Sequence, residues 1–157
     1  MPKAGFWAIE TNTIRFGRDG RWYADDEPIV NQRISDLFSR HVTRGDDGDW
    51  WLRIGDERAK IVVDDTPWVV TRVDGDPAAG FRVTLNDGSS EPLAAGSLRL
   101  GAEDVLYTDV KGGAYRARFL RPAQLELLGH VDVVGERFVL RLPSGALEIA
   151  RDGARCA

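Results

Sequence analysis

Three arginines stand close together in this chain. Arg116 and Arg118 alternate with Tyr115, Ala117 and Phe119, and Arg121 follows shortly after. The run from Lys111 to Arg121 holds four basic residues and no acidic one. In a strand, alternate residues share a face, so Arg116 and Arg118 point one way and their apolar neighbours the other. Arg121 then opens a helix, whose first N–H groups also favour an anion. Guanidinium forks bind phosphate or carboxylate bidentately. Asn86 and Ser144 sit in turns and would add hydrogen bonds to such a ligand, although turn chemistry explains both equally well. The candidate ligand-binding set is therefore Arg116, Arg118, Arg121, Asn86 and Ser144. The alternative is an exposed sheet face dotted with arginine.

Other residue types offer less. Asp64 and Asp65 are adjacent, and paired carboxylates can bind a metal or exchange protons. Neighbouring strand residues point to opposite faces, however, so a turn before Thr66-Pro67 explains them. Gly45-Asp46-Asp47-Gly48-Asp49 lacks the spaced ligands and closing Glu of a calcium loop and reads as a solvated turn. His41 and His130 each close an apolar helical run, where a histidine meets the helix dipole or packs. Cys156 is the one cysteine and is far from both histidines, so neither a zinc site nor a Cys-His nucleophile is expected. No phosphate loop or nucleophile elbow is present, and no cofactor is implied.

The chain has 157 residues, 43% apolar and 29% charged, enough for one ordinary domain or two small ones. Its net charge of −4 argues against a dedicated nucleic-acid binder. No apolar run approaches the roughly 20 residues that span a bilayer. The opening MPKAGFWAIE lacks the continuous apolar core of a signal peptide, and a lone cysteine suits a reducing compartment. A cytoplasmic location is the expectation. Five tryptophans, Trp7, Trp22, Trp50, Trp51 and Trp68, serve a core or mark a partner surface.

The elements that must position these residues follow from pattern. Short strands are expected at 14–16 and 21–23 around Gly17–Gly20, with a turn at Asp25–Pro28. A helix is expected from Asn31, a plausible N-cap, to Val42, with Ile34, Leu37, Phe38 and Val42 on one face. Arg40, His41 and Arg44 lie near its C-terminus, where positive charge is favoured. Strands follow at 50–54 and 58–63, then 68–73. Asp74–Gly80 reads as the best linker. Further strands are expected at 81–85, 104–110 and 114–120, the last two joined through a two-residue Gly112-Gly113 turn. Leu93–Gly101 reads as irregular. A second helix is expected at 122–131, opened by Pro122, and strands at 137–142 and 146–150 close the chain.

That order repeats. WWLRIGDERAKI (50–61) and FVLRLPSGALEI (138–149) share one rhythm: Leu-Arg-aliphatic, a polar turn, and a closing Ile. Leu52 follows His41 by eleven positions and Leu140 follows His130 by ten. The reading is an α+β protein of two repeated units, 14–76 and 77–152, each an antiparallel sheet with one helix. Each unit alone has a thin core, and the seam between them is a natural ligand cleft.

Several runs together resemble a known family. GRWYADDEPI, ISDLFSRHV, DDGDWWL and ERAKIVVDDTPWVV are similar to the N-terminal half of the bacterial domain-of-unknown-function family 1285. VLYTDVKGGAYRARFLRPAQLELL and VLRLPSGALEI are similar to its C-terminal half. RVTLNDG stands where the family carries a strand and an Asn turn. The sequence departs from the family at Leu140–Pro143, where an aromatic residue is expected before the Ser-Gly turn. The resemblance implies a duplicated α+β protein with a C-terminal half loosely like a pleckstrin-homology fold. It also implies a nucleotide-like ligand between the halves and a signalling role. It implies no reaction.

Two functions are therefore expected in competition. One is a regulatory module holding a small anionic, nucleotide-like ligand between its halves. The other is an adaptor that binds a protein partner through an aromatic surface or sheet edge. An enzyme reading lacks every constellation it needs. Neither nucleic acid nor membrane is an expected partner.

Overall fold

The computed structural model describes residues 13–152, so Trp7 and Cys156 lie outside the described residues. The described chain is mostly strand, with two α-helices, and divides into two compact units. The first runs to Trp68 and takes in Asn86–Gly88; the second has Val69–Leu85 and the chain from Ser89 on.

In the first unit, β1 (Ile14–Phe16), β2 (Trp22–Ala24) and β3 (Glu27–Pro28) form an antiparallel meander. The β2–β3 turn is two residues, Asp25 and Asp26, at φ of 51° and 67°. Asp is among the few residue types that tolerate that region. Helix α1 (Gln32–Arg40) starts where the Asn31 side chain accepts from the N–H groups of Arg33 (3.0 Å) and Ile34 (3.4 Å). Phe38 packs edge-on to Trp22 with ring centres 5.4 Å apart, and Trp22 lies 4.8 Å from Phe16. All three are buried and form the heart of this unit. After α1 come β4 (Val42–Arg44), β5 (Trp50–Ile54) and β6 (Glu57–Lys60), a second antiparallel sheet. Leu52 and Ile54 face the core, which leaves Trp51 and Arg53 on the outer face.

In the second unit, β8 (Trp68–Asp76), β9 (Gly80–Leu85) and β10 (Ser90–Pro92) pair antiparallel. Two 3-10 turns, Ala95–Ser97 and Ala102–Asp104, bracket β11 (Arg99–Leu100). The hairpin β12 (Leu106–Val110) and β13 (Tyr115–Phe119) follows, and then helix α2 (Arg121–Leu128). A meander of β14 (Val131–Val134), β15 (Arg137–Leu142) and β16 (Gly145–Glu148) succeeds it. Finally β17 (Ala150–Arg151) pairs parallel to β11, completing a seven-stranded sheet in the order β10-β9-β8-β13-β12-β11-β17. Leu85, Leu98, Leu106, Val110, Phe119 and Leu127 are buried.

The chain is thus α+β with several sheets, as expected, but five local readings need correction. Both helices stop early. Val42 pairs with Leu52 in β4 and Val131 with Leu140 in β14, so two β-branched residues at helical spacing serve strands instead. Arg44 is likewise a strand residue. Asp74–Gly80 is no linker: Asp74, Gly75 and Asp76 pair with Arg82, Phe81 and Gly80. Gly112-Gly113 is not a two-residue turn but the middle of the loop between Val110 and Tyr115, with Lys111 also at positive φ (59°). Strand 58–63 is broken at Ile61. Beyond it β7 (Val62–Val63) leaves for the first sheet and pairs parallel to β1.

Candidate functional site

The β13 pattern reads as the sequence suggested. Ala117 and Phe119 are buried, so alternation sends Arg116 and Arg118 to the opposite face. Register sets Asp109 across from Arg116 and Tyr107 across from Arg118. The Arg116 guanidinium stacks on Tyr107, 4.4 Å from the ring centre, and is ion-paired with Asp152. An acid 36 positions later in the chain therefore answers this charge. The Lys111 backbone N–H donates to the Glu91 carboxylate (3.1 and 3.2 Å) and its ammonium to Ser89 Oγ (3.2 Å). Acid-free in sequence, the basic run thus has an acid beside it at Arg116 and at the Lys111 backbone.

Arg121 is the exposed first residue of α2. The N-cap position there is Leu120, which has no polar side chain and makes no capping bond, in contrast to Asn31 on α1. The first turn of α2 therefore has the N–H groups of Arg121 and Ala123 without a capping side chain, Pro122 having none, and it starts three positions after Arg118. Ser144 lies in the β15–β16 turn and lines a separate groove of about 630 Å³ with Phe81, Arg82, Leu93, Leu142 and Pro143. None of the three arginines lines that groove. Asn86 belongs to the first unit, where its amide donates to Ser39 Oγ at 3.0 Å.

The remaining candidates have structural partners. Asp64 takes the Arg15 guanidinium at 2.6 Å, and its N–H donates to the Phe16 carbonyl at 3.0 Å. His41 Nδ1 lies 2.7 Å from the Leu37 carbonyl, at the end of α1. The His130 ring packs on Phe81 at 5.1 Å. Gly45–Asp49 is a closed loop: Asp47 accepts from the Asp49 N–H (3.0 Å) and the Trp51 indole (3.3 Å). Those two bonds, with help from Lys60, hold the Asp47 carboxyl below its ordinary pKa. Among the described residues no group of three or more His, Cys, Asp or Glu gathers to hold a metal. Trp22 and Trp68 are buried, and Trp50 and Trp51 are half-buried.

Sequence reasoning passed over one cationic cluster. Arg53 and Arg58 are direct cross-strand partners on the outer face of β5–β6, and with Arg44 and Trp51 they line a pocket of about 370 Å³. The signal was present in the sequence. Two arginines flanking a two-residue turn at equal distance must face each other.

Fold and faces together define an α+β protein of several sheets, with arginine-bearing surfaces in both units. Among the described residues no helix is long and apolar enough to cross a membrane. Two solved structures share this fold. One is a DUF1285 family protein from Silicibacter pomeroyi DSS-3, with a TM-score of 0.67 and 22% identity, covering 88% of this chain and 79% of that one. The other is a DUF1285 family protein from Shewanella baltica OS155, with a TM-score of 0.57 and 16% identity, covering 76% and 93%. The resemblance carried by the sequence runs is thus met in the fold. No family model matches the chain, and no curated protein matches it.

Proposed function

We propose that the protein is a cytoplasmic regulatory module that binds a small anionic, nucleotide-like ligand and performs no reaction of its own. The observation that carries this reading is the start of α2. A strand bearing Arg116 and Arg118 runs directly into a helix that Arg121 opens and no side chain caps. Helix N–H groups and guanidinium forks favour the same ligand, an anion with several acceptor oxygens. Arg118 and Arg121 carry the ligand, beside Arg116 and its partner Asp152.

A duplication is part of the same proposal. Its support is a point-by-point match between the two helix–meander segments. The His41 N–H bonds to the Phe38 carbonyl (3.0 Å) and the His130 N–H to the Leu127 carbonyl (2.9 Å). Val42 pairs with Leu52, and Val131 with Leu140. The Ile61 N–H reaches the Trp50 carbonyl (3.0 Å), and the Ile149 N–H the Phe138 carbonyl (2.8 Å). The pleckstrin-homology likeness of the C-terminal half is supported more loosely, by a seven-stranded sheet and one helix in the second unit.

One observation favours the adaptor instead. β14 is an edge strand of its sheet, with Val133 66% and Val134 49% exposed. Exposed apolar edges invite strand addition by a partner.

Thermal unfolding against a panel of nucleotides and phosphorylated metabolites separates the two. A ligand at about 100 times its Kd adds roughly 2.7 kcal/mol to a folded state that alone binds it. A clear rise in midpoint, lost in Arg118→Glu, supports the ligand module. No rise across the panel turns the reading to the adaptor.

A further inference from the structure

The outer face of β4–β6 places like charges against each other with no acid paired to them. Arg53 and Arg58 are direct cross-strand partners, set so by the two-residue turn Gly55-Asp56. Like charges directly opposite on a strand pair destabilise it. Among the described residues neither guanidinium is ion-paired, although Arg58 lies over the Trp51 ring at 5.2 Å. That ring attraction is a modest compensation for one of the two charges.

The neighbouring charges do not cancel the pair. Lys60 is held by Asp49 (2.9 Å) and Asp47 (3.6 Å). Asp47 also lines the pocket, but Lys60, the Trp51 indole and the Asp49 N–H already hold it. Asp46 is the second carboxylate at the rim. Against these two stand Arg53, Arg58 and Arg44, the last with its Nε on the Gly48 carbonyl at 3.1 Å. The pocket they line, about 370 Å³, is large enough for a small ligand.

The second meander serves as an internal control. There Arg141 occupies the position of Arg53, but it faces Ala146 and is paired with Asp132 at 2.7 Å. Arg137 and Glu148 pair as well, at 3.5 Å. Only the first leaves two opposed guanidinium groups on a pocket.

We propose that this pocket binds a phosphate-class oxyanion, either inorganic phosphate or the phosphate group of a small ester, between Arg53 and Arg58. Two forks approaching from adjacent strands supply more donors than a carboxylate can accept, and a tetrahedral dianion uses them. This goes beyond the site at α2, because it lies in the other unit and uses other residues.

The Trp51 indole N–H reports on the pocket, and Trp51→Phe assigns its NMR resonance. Inorganic phosphate is titrated into the full chain at constant ionic strength, with acetate as the comparator. The expected result is a saturable shift with phosphate, weaker by tenfold or more in Arg53→Gln and in Arg58→Gln, and unchanged in Arg118→Glu. Both Gln variants should melt no lower than the parent, since each relieves a like-charge contact. A shift that does not saturate, or one the Gln variants leave unchanged, overturns the proposal. So does a phosphate response that disappears only in Arg118→Glu, which would return the anion to the second unit.

Discussion

Trp22 donates its indole N–H to Ser39 Oγ at 2.9 Å, and both residues are buried. The same hydroxyl receives the Asn86 amide at 3.0 Å, so one small side chain joins β2, α1 and the Asn86–Gly88 turn. Ser39→Ala leaves the indole N–H buried without an acceptor. Losing one partner of a buried pair costs about 1–3 kcal/mol. Asn86→Ala, which leaves the Trp22 bond intact, should cost less. Urea unfolding of the two variants checks the order.

Gly75 permits a prediction from backbone geometry. It sits at φ +114° in β8, and a Cβ there would lie 2.0 Å from the Gly80 carbonyl oxygen. The obstruction is backbone across a paired hairpin, so no side chain can swing aside. Gly75→Ala should therefore destabilise the protein by about 2 kcal/mol or more, from strain and overpacking together. Gly112→Ala, with open space around it, should cost only the strain of its positive φ. Thermal melts of the pair separate the two contributions.

These two sites show what was legible in the sequence. The rhythm of WWLRIGDERAKI and FVLRLPSGALEI gave the β5–β6 and β15–β16 hairpins, though not the third strands β4 and β14, because alternation and turn chemistry act over a few residues. Leu52 and Leu140 are accordingly both fully buried. Asp74–Gly80 misled because an exposed hairpin tip can be polar and still be paired, with Gly75 allowing the close approach. Val42 and Val131 misled because helical spacing and a following strand share residues at a boundary. The candidate site was harder. Arg116 and Arg118 share a face by local rule, but Asp152 comes to Arg116 only through the parallel pairing of β17 with β11. No local window encodes that pairing.

The Gly45–Asp49 loop should respond to acid. Asp47 holds its proton less tightly in the folded chain than in the unfolded one, chiefly through the Asp49 N–H and the Trp51 indole. Over that window the unfolded chain binds more protons, so stability rises with pH. The contribution is complete above the ordinary aspartate range and is lost as pH falls through the depressed value. Lys60, raised mainly by its bond to Asp49, acts in the opposite sense at the alkaline end. Acid titration followed at the Trp51 indole should show the loop releasing below the ordinary aspartate range. In Asp47→Asn that step should vanish. Both groups are solvent-exposed, so added salt should weaken the Lys60 contribution while leaving the Asp47 hydrogen bonds in place.

Asp152 gives the sharpest test of the α2 site. Its carboxylate pairs with Arg116, and both side chains are partly exposed, 45% for Arg116 and 39% for Asp152. A pair so placed contributes little to stability, about 0–1 kcal/mol. Asp152→Asn should accordingly melt close to the parent. Its effect on binding should be larger, because it frees a guanidinium on the face that carries Arg118. If that face holds an anion, Asp152→Asn raises affinity for whichever panel ligand shifts the parent, and Arg118→Glu lowers it. The two changes move the local charge in opposite directions and so must move affinity in opposite directions. Isothermal titration of the three proteins with that ligand decides the matter. Equal affinities would mean that these arginines serve the sheet surface alone and that the ligand binds elsewhere.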